Sequence, residues 1–231
     1  MKWPKKHVIW PKYFRLINSA FPTIDLFEDI AGPADWLLLG SAESKTNPRV
    51  ADTIGNLDLI PPARRVRGGG ATYVMAPFTH ISPDWAGRFH DGTFGAFYGA
   101  DSFETALAET MYHTAKFCKS TKEKPGWIAD KRELIGRIDA ELIDICDGYN
   151  ALLDEDDYAA SQAFARKVRD DGEEGILYPS VRNAGGLCFA AFFPDVMGTP
   201  IQARHISYHW DGSRIDMIKD YTNDKVYALD E

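Results

Sequence analysis

Apolar and polar residues recur along this chain with two different periods, and the changes of period mark its elements. Residues 7–18 read as an opening strand, with Tyr13, Phe14, Leu16 and Ile17 set around Arg15. Pro33 suits the first turn of a helix through Trp36 and Leu37-Leu38-Leu39 that ends near Asn47-Pro48. Pro61-Pro62 and Gly68-Gly69-Gly70 mark loops, and Ala71 to Ala76 then reads as a strand.

Gly95 to Ala100 is a short apolar strand. In Asp101-Ser102-Phe103-Glu104 an acceptor is followed three residues later by Glu, which signals a helix start. That helix is expected to run to about Phe117, with Phe103, Ala106, Leu107, Thr110 and Met111 as its core stripe. At about 100° per residue, Ser102, Ala106, Glu109 and His113 share one flank of the stripe, so Glu109 lies at the edge of the core. Leu134 to Ala140 reads as a strand. Asp154 to Asp157 lead into a helix over Tyr158 to Arg169 that closes on Arg166, Lys167 and Arg169, a charge order that complements the helix dipole. Ile176 to Tyr178 and Leu187 to Phe193 are strands flanking a polar loop. Asp211-Gly212 turns a hairpin between Ile201–Trp210 and Arg214–Ile218.

Length and composition narrow the classes. At 231 residues with 45% hydrophobic positions the chain can bury a substantial core, and no repeat or low-complexity linker divides it, so one domain over 1–231 is expected. A formal charge of -8 argues against nucleic acid. The longest apolar run, Leu187 to Phe193, is far short of the ~20 residues of a membrane span, and Met1 to Trp10 lack a signal peptide's apolar stretch. Cys118, Cys146 and Cys188 are widely spaced, which suits reduced thiols in a cytoplasmic protein.

Several motifs do not reach chemistry. Gly40 to Thr46 lacks the P-loop's glycine before its lysine, and Arg64-Arg65-Val66-Arg67 reads as a solvated loop. His205 and His209 would need a third ligand, so no metal is expected. Glu109 has a more telling setting. It follows Tyr98 across a strand–turn–helix unit that brings both side chains to one cleft, with Arg88 just upstream beside Gly87. A guanidinium suits a diphosphate because its planar fork donates bidentate hydrogen bonds. The loop Ser180 to Gly186 adds hydroxyl, amide and backbone donors at a strand end; turn chemistry alone would also account for it.

Taken together, Ala86-Gly87-Arg88-Phe89, Gly95 to Gly99, Glu104-Thr105-Ala106-Leu107-Ala108-Glu109 and Tyr178-Pro179-Ser180-Val181-Arg182-Asn183 resemble the RES-domain family, toxins of toxin–antitoxin pairs that consume NAD. The match is best over 84–193, with 20–83 and 200–231 as additions. Phe89-His90-Asp91 departs from the Trp and small polar residue that follow the arginine in many members. The resemblance implies an α+β fold like that of ADP-ribosyltransferase toxins, with two small bent sheets around an NAD cleft and flanking helices. It implies Glu109, Arg88, Tyr98 and Ser180 as catalytic residues, with Arg15, Arg88, Tyr98 and Asn183 binding substrate. It further implies cleavage of the nicotinamide–ribose bond, with phosphate as co-substrate and no bound cofactor, and an Xre-type antitoxin as partner. Transfer of ADP-ribose to a protein side chain and a non-catalytic nucleotide-binding or docking role stay open, as does a homodimer.

Overall fold

A computed structural model describes residues 3–19, 55–82 and 86–229. The expected helix after Pro33 and the segment Gly40 to Thr46 lie outside the described residues. Strand β1 (Lys5–Asn18) runs antiparallel to β3 (Gly126–Asp144), the longest strand described, from Lys5↔Ile143 to Asn18↔Lys131. β2 (Phe97–Ala100) meets β1 at Phe14↔Ala100 and pairs along its length with β5 (Leu187–Ala191). β5 pairs with β4 (Gly175–Pro179), and β4 runs parallel to the end of β3 at Ile143↔Ile176. The pairings β1–β2–β5–β4–β3–β1 therefore close on themselves. β6 (Ile201–Trp210), β7 (Ile215–Asp220) and β8 (Lys225–Ala228) extend the same sheet outward from β3 as an antiparallel wing. All eight described strands thus form one curled sheet, where two separate sheets were expected.

Around the closed part of the sheet, β2, β4, β5 and the second half of β1 bury both faces, so successive residues enter different cores. Tyr13, Phe97, Leu177 and Phe189 point to one core, which helix α1 (Ala71–Thr79) covers with Val74, Met75 and Phe78. Leu16, Tyr98, Tyr178 and Cys188 point to the other, beside α2 (Phe103–Thr121) and α3 (Ala159–Asp170). The expected strand over Ala71 to Ala76 is instead the start of α1. Its buried positions Ala71, Val74, Met75, Phe78 and Thr79 follow helical spacing that becomes visible only when the window extends past Pro77. Gly70 begins the helix with φ of 80°, a left-handed conformation that glycine adopts at little cost.

α2 outruns the expected end at Phe117 by one turn, and Lys122 closes it in the left-handed region. Its N-cap is Ser102, whose Oγ accepts the Thr105 N–H. Asp101 does other work: its carboxylate accepts from Thr105 Oγ1 and from the β5 amide of Leu187, tying helix to strand. No helix among the described residues is long and apolar enough to cross a membrane.

Candidate active site

The site is built where β1, β2 and α2 meet on the face covered by α2 and α3. A cavity of about 270 Å³ opens there, and Arg15, Arg88, Tyr98 and Glu109 all line it. These residues come from β1, the segment before β2, β2 itself and α2. Strand alternation explains the first pairing, because Phe14 sits opposite Ala100 and Arg15 Nη1 donates to the Tyr98 carbonyl at 2.8 Å. The Arg15 guanidinium also lies 4.5 Å from the centre of the Phe97 ring. Burial lowers its pKa from the ordinary arginine value, and its Nε has no hydrogen-bond partner among the described residues. A buried donor without a partner is costly unless a ligand or water supplies the acceptor.

Arg88 is buried too. Its Nη1 donates to the main-chain carbonyls of Leu152 (3.3 Å) and Asp154 (2.5 Å), and its plane lies 4.7 Å from the Tyr158 ring centre. Tyr98 Oη accepts the Phe89 N–H at 2.9 Å, which fixes the ring while leaving the phenol proton to donate. Burial raises the Tyr98 pKa, so the phenol stays protonated at neutral pH.

Glu109 projects from the predicted flank of α2, with Ala106, Thr110 and His113 lining the cavity beside it. Ser180 Oγ donates to Glu109 Oε1 at 2.6 Å and accepts the N–H groups of Arg182 and Asn183 at 3.1 and 3.0 Å. One carboxylate oxygen is thereby held, in a residue that lines the cavity. Ser180 reaches the cavity through Glu109 and is not itself in the wall. Asn183 turns away: its Nδ2 donates to Thr105 Oγ1 at 2.9 Å, clasping the loop to the start of α2. Gly186 permits that clasp, since a Cβ there would come within 2.3 Å of Thr105 Oγ1.

Among the wall residues that the sequence left without a role are His113, Tyr158 and Tyr178. His113 stands one turn beyond Glu109; burial, then the charges of Arg182, Lys116, Arg88 and Lys131, lower its pKa to about 4, so it is neutral at pH 7. Spacing had already set it on the flank of Glu109, without a role. Nothing local could have signalled Tyr158 or Tyr178, which arrive by tertiary packing.

The arginine run before α1 is only partly solvated. Arg64 pairs with Asp195 at 2.8 Å, while the buried Arg65 donates to the carbonyls of Ile60 and Leu57. His205 and His209 bond separately to Ser19 and Asp216. Among the described residues no group of three or more His, Cys, Asp and Glu is placed to hold a metal ion.

A family model described as the RES domain matches residues 62–211. An uncharacterized protein, y4oC, of Sinorhizobium fredii is 29% identical over 222 residues, covering 95% of this chain and 88% of that protein. Among solved structures, a chain from the M. tuberculosis MbcT-MbcA toxin-antitoxin complex is similar with a TM-score of 0.46 and 14% identity. That likeness covers 90% of this chain and 87% of the other.

Proposed function

Because the chain belongs to the RES-domain family, we propose that it is a toxin enzyme that cleaves the nicotinamide–ribose bond of NAD. Phosphate is the acceptor that fits best. The observation that carries this reading is the cavity, in which a held carboxylate, Glu109, shares one wall system with Arg15, Arg88 and Tyr98. In the reaction the C1″–N bond breaks with its electron pair going to nicotinamide, which leaves neutral. The ribose takes on oxocarbenium character, as in glycoside hydrolysis. A phosphate oxygen then bonds C1″ to give ADP-ribose 1″-phosphate.

Each residue has a physical task in this scheme. Ser180 fixes one oxygen of Glu109, so the other can meet the ribose hydroxyls and the developing positive charge without reorganising. The Arg15 guanidinium, in the cavity wall, offers positive charge to an anionic oxygen. Arg88 contributes charge from the segment before β2. Tyr98 packs against the nicotinamide end and can donate its phenol proton to the sugar. The cavity is a little smaller than the about 300 Å³ at which small-molecule sites usually begin. It suits the reacting ribose and nicotinamide, with the rest of the dinucleotide extending past Arg88.

An enzyme of this kind needs a restraint in its own cell, and a partner antitoxin of Xre type fits the family reading. A segment of that partner lying over Arg88 and Glu109 would compete with NAD. The deciding experiment incubates purified protein with NAD, with and without phosphate, and identifies the products by mass spectrometry. Nicotinamide with ADP-ribose 1″-phosphate supports the proposal. Labelled protein would point to transfer onto a side chain, and intact NAD would overturn the reading.

A further inference from the structure

Residues 149–158 lead up to Tyr158 in the cavity wall and are held in two different ways. At their start Tyr149, Leu152 and Leu153 pack against the core, and Arg88 binds the carbonyls of Leu152 and Asp154. Past Asp154 the backbone has no apolar anchor until Tyr158. Asp154, Glu155, Asp156 and Asp157 are all exposed, and Asp154 spends its carboxylate on the N–H groups of Asp156 and Asp157. What fastens this stretch to the body is charge. Arg182 Nη1 donates to Glu155 Oε2 at 2.6 Å, and Nη2 donates to the Glu155 carbonyl. Lys116 and Tyr112 reach Asp156 at 2.8 and 2.6 Å.

The two sides of the Arg182–Glu155 pair are unlike. The Arg182 side chain is 8% exposed and stacks 3.4 Å from the centre of the Tyr112 ring, whereas that of Glu155 is 69% exposed. The guanidinium is therefore a fixed socket and the carboxylate a removable plug. The socket is also wired to the site, because the Arg182 N–H bonds the same Ser180 hydroxyl that holds Glu109. Beyond the plug comes Tyr158, which walls the cavity.

We propose that residues 154–158 form a strap latched by Arg182, and that closure of the latch positions Tyr158 as the outer wall of the substrate cavity. Arg182 is thus a positioning residue acting through Tyr158. The kinetic part rests on the proposed cleavage of NAD; the latch itself does not. Opening the strap would lose contact with substrate and transition state alike, which raises KM and leaves kcat unchanged.

The test uses the whole chain with Glu155→Gln, a change at an exposed side chain that removes the plug's charge and leaves its volume. Amide hydrogen exchange is followed in the ligand-free protein, and steady-state kinetics with NAD separately. Exchange at Asp156 and Asp157 is expected to rise about threefold or more at low salt, a size in keeping with a partly exposed ion pair. Exchange across α2 and β5 stays as in the parent. The KM for NAD is expected to rise by a similar factor with kcat within about twofold. Lys116→Ala, which removes an exposed partner of Asp156, serves as the comparison and should shift both readouts less. Unchanged exchange in Glu155→Gln overturns the latch, and raised exchange with unchanged KM overturns the role of Tyr158. If the parent protein leaves NAD intact, the cleavage reading fails and the exchange data alone decide the latch.

Discussion

Two turns in this molecule use the same local chemistry to different ends. At Asp211 the carboxylate Oδ1 accepts the N–H groups of Ser213 and Arg214, at 2.6 and 2.8 Å, and turns β6 into β7. At Ser180 a hydroxyl accepts the N–H groups of Arg182 and Asn183 and turns β4 toward β5. A carboxylate can only accept, and that of Asp211 is spent within its own turn, on these backbone N–H groups and the Ser213 hydroxyl. A hydroxyl still has a proton, and Ser180 donates it in a hydrogen bond to Glu109. One turn is exposed; in the other Ser180 is buried and holds the carboxylate on which the proposed chemistry depends. The lesson is that a turn motif gains a function through the valence its backbone bonds leave unused.

The strongest way to break the comparison is to remove the recipient. Glu109→Gln keeps the volume and an acceptor oxygen but deletes the charge, so NAD turnover is expected to fall about 10²–10³-fold with the fold intact. Turnover at the parent rate in a variant shown folded by circular dichroism would end the assignment. Arg88→Lys is next. An ammonium cannot span two carbonyls and still present a planar face to Tyr158, so calorimetry should show NAD affinity lower by about tenfold.

Ser180→Ala removes both the turn acceptor and the donor to Glu109. It should cost about 1–2 kcal/mol of stability in a denaturant melt, as a lost buried hydrogen-bond partner does. NAD turnover should fall about tenfold, less than for Glu109→Gln because the charge survives. Ser180→Thr keeps the hydroxyl and should recover most of that activity. Recovery by Ala as full as by Thr would show that the proton to Glu109 is idle.

The smallest expected effect belongs to the other turn. Backbone N–H groups of Arg214 and Ser213 hold the Asp211 carboxyl below its ordinary value. A depressed folded value means that the turn's contribution is present above the unfolded value of about 3.9 and is lost as pH falls through the lower folded one. Amide exchange at Ser213 and Arg214 should accelerate only in that acidic range, and Asp211→Asn should leave NAD turnover unchanged. A loss of turnover in that variant would erase the distinction between the two turns.

Much of this arrangement was legible before any coordinates. The flank of α2 followed from spacing, since Ala106, Glu109 and His113 lie at steps of three and four. The hairpin at Asp211-Gly212 followed from turn chemistry, although β8 did not: Lys225–Ala228 is exposed at every position and so shows no alternation to read. The start of α1 was obscured because Thr72, Tyr73 and Val74 favour strands, and the stripe that overrides them runs beyond Pro77. Arg15 and Ser180 were visible as residues, but their neighbours were not. The contact of Arg15 with Tyr98 and that of Ser180 with Glu109 depend on pairings between distant segments, which no local period encodes. Asn183 illustrates the converse, a polar loop residue spent on holding its own loop to α2.

The closed circuit of strand pairings has a consequence for synthesis. β1 is made first, but its Arg15 gains its place against Tyr98 only when β2 has something to lie on, and β2 lies on β5. A growing chain on the ribosome therefore carries the parts of the cavity without the cavity, until the segment ending at Ala191 has emerged. Contacts spanning so much of the chain also form slowly. On the proposed function, the site that would harm the cell is absent for most of translation, and that delay is time in which the proposed partner can be waiting.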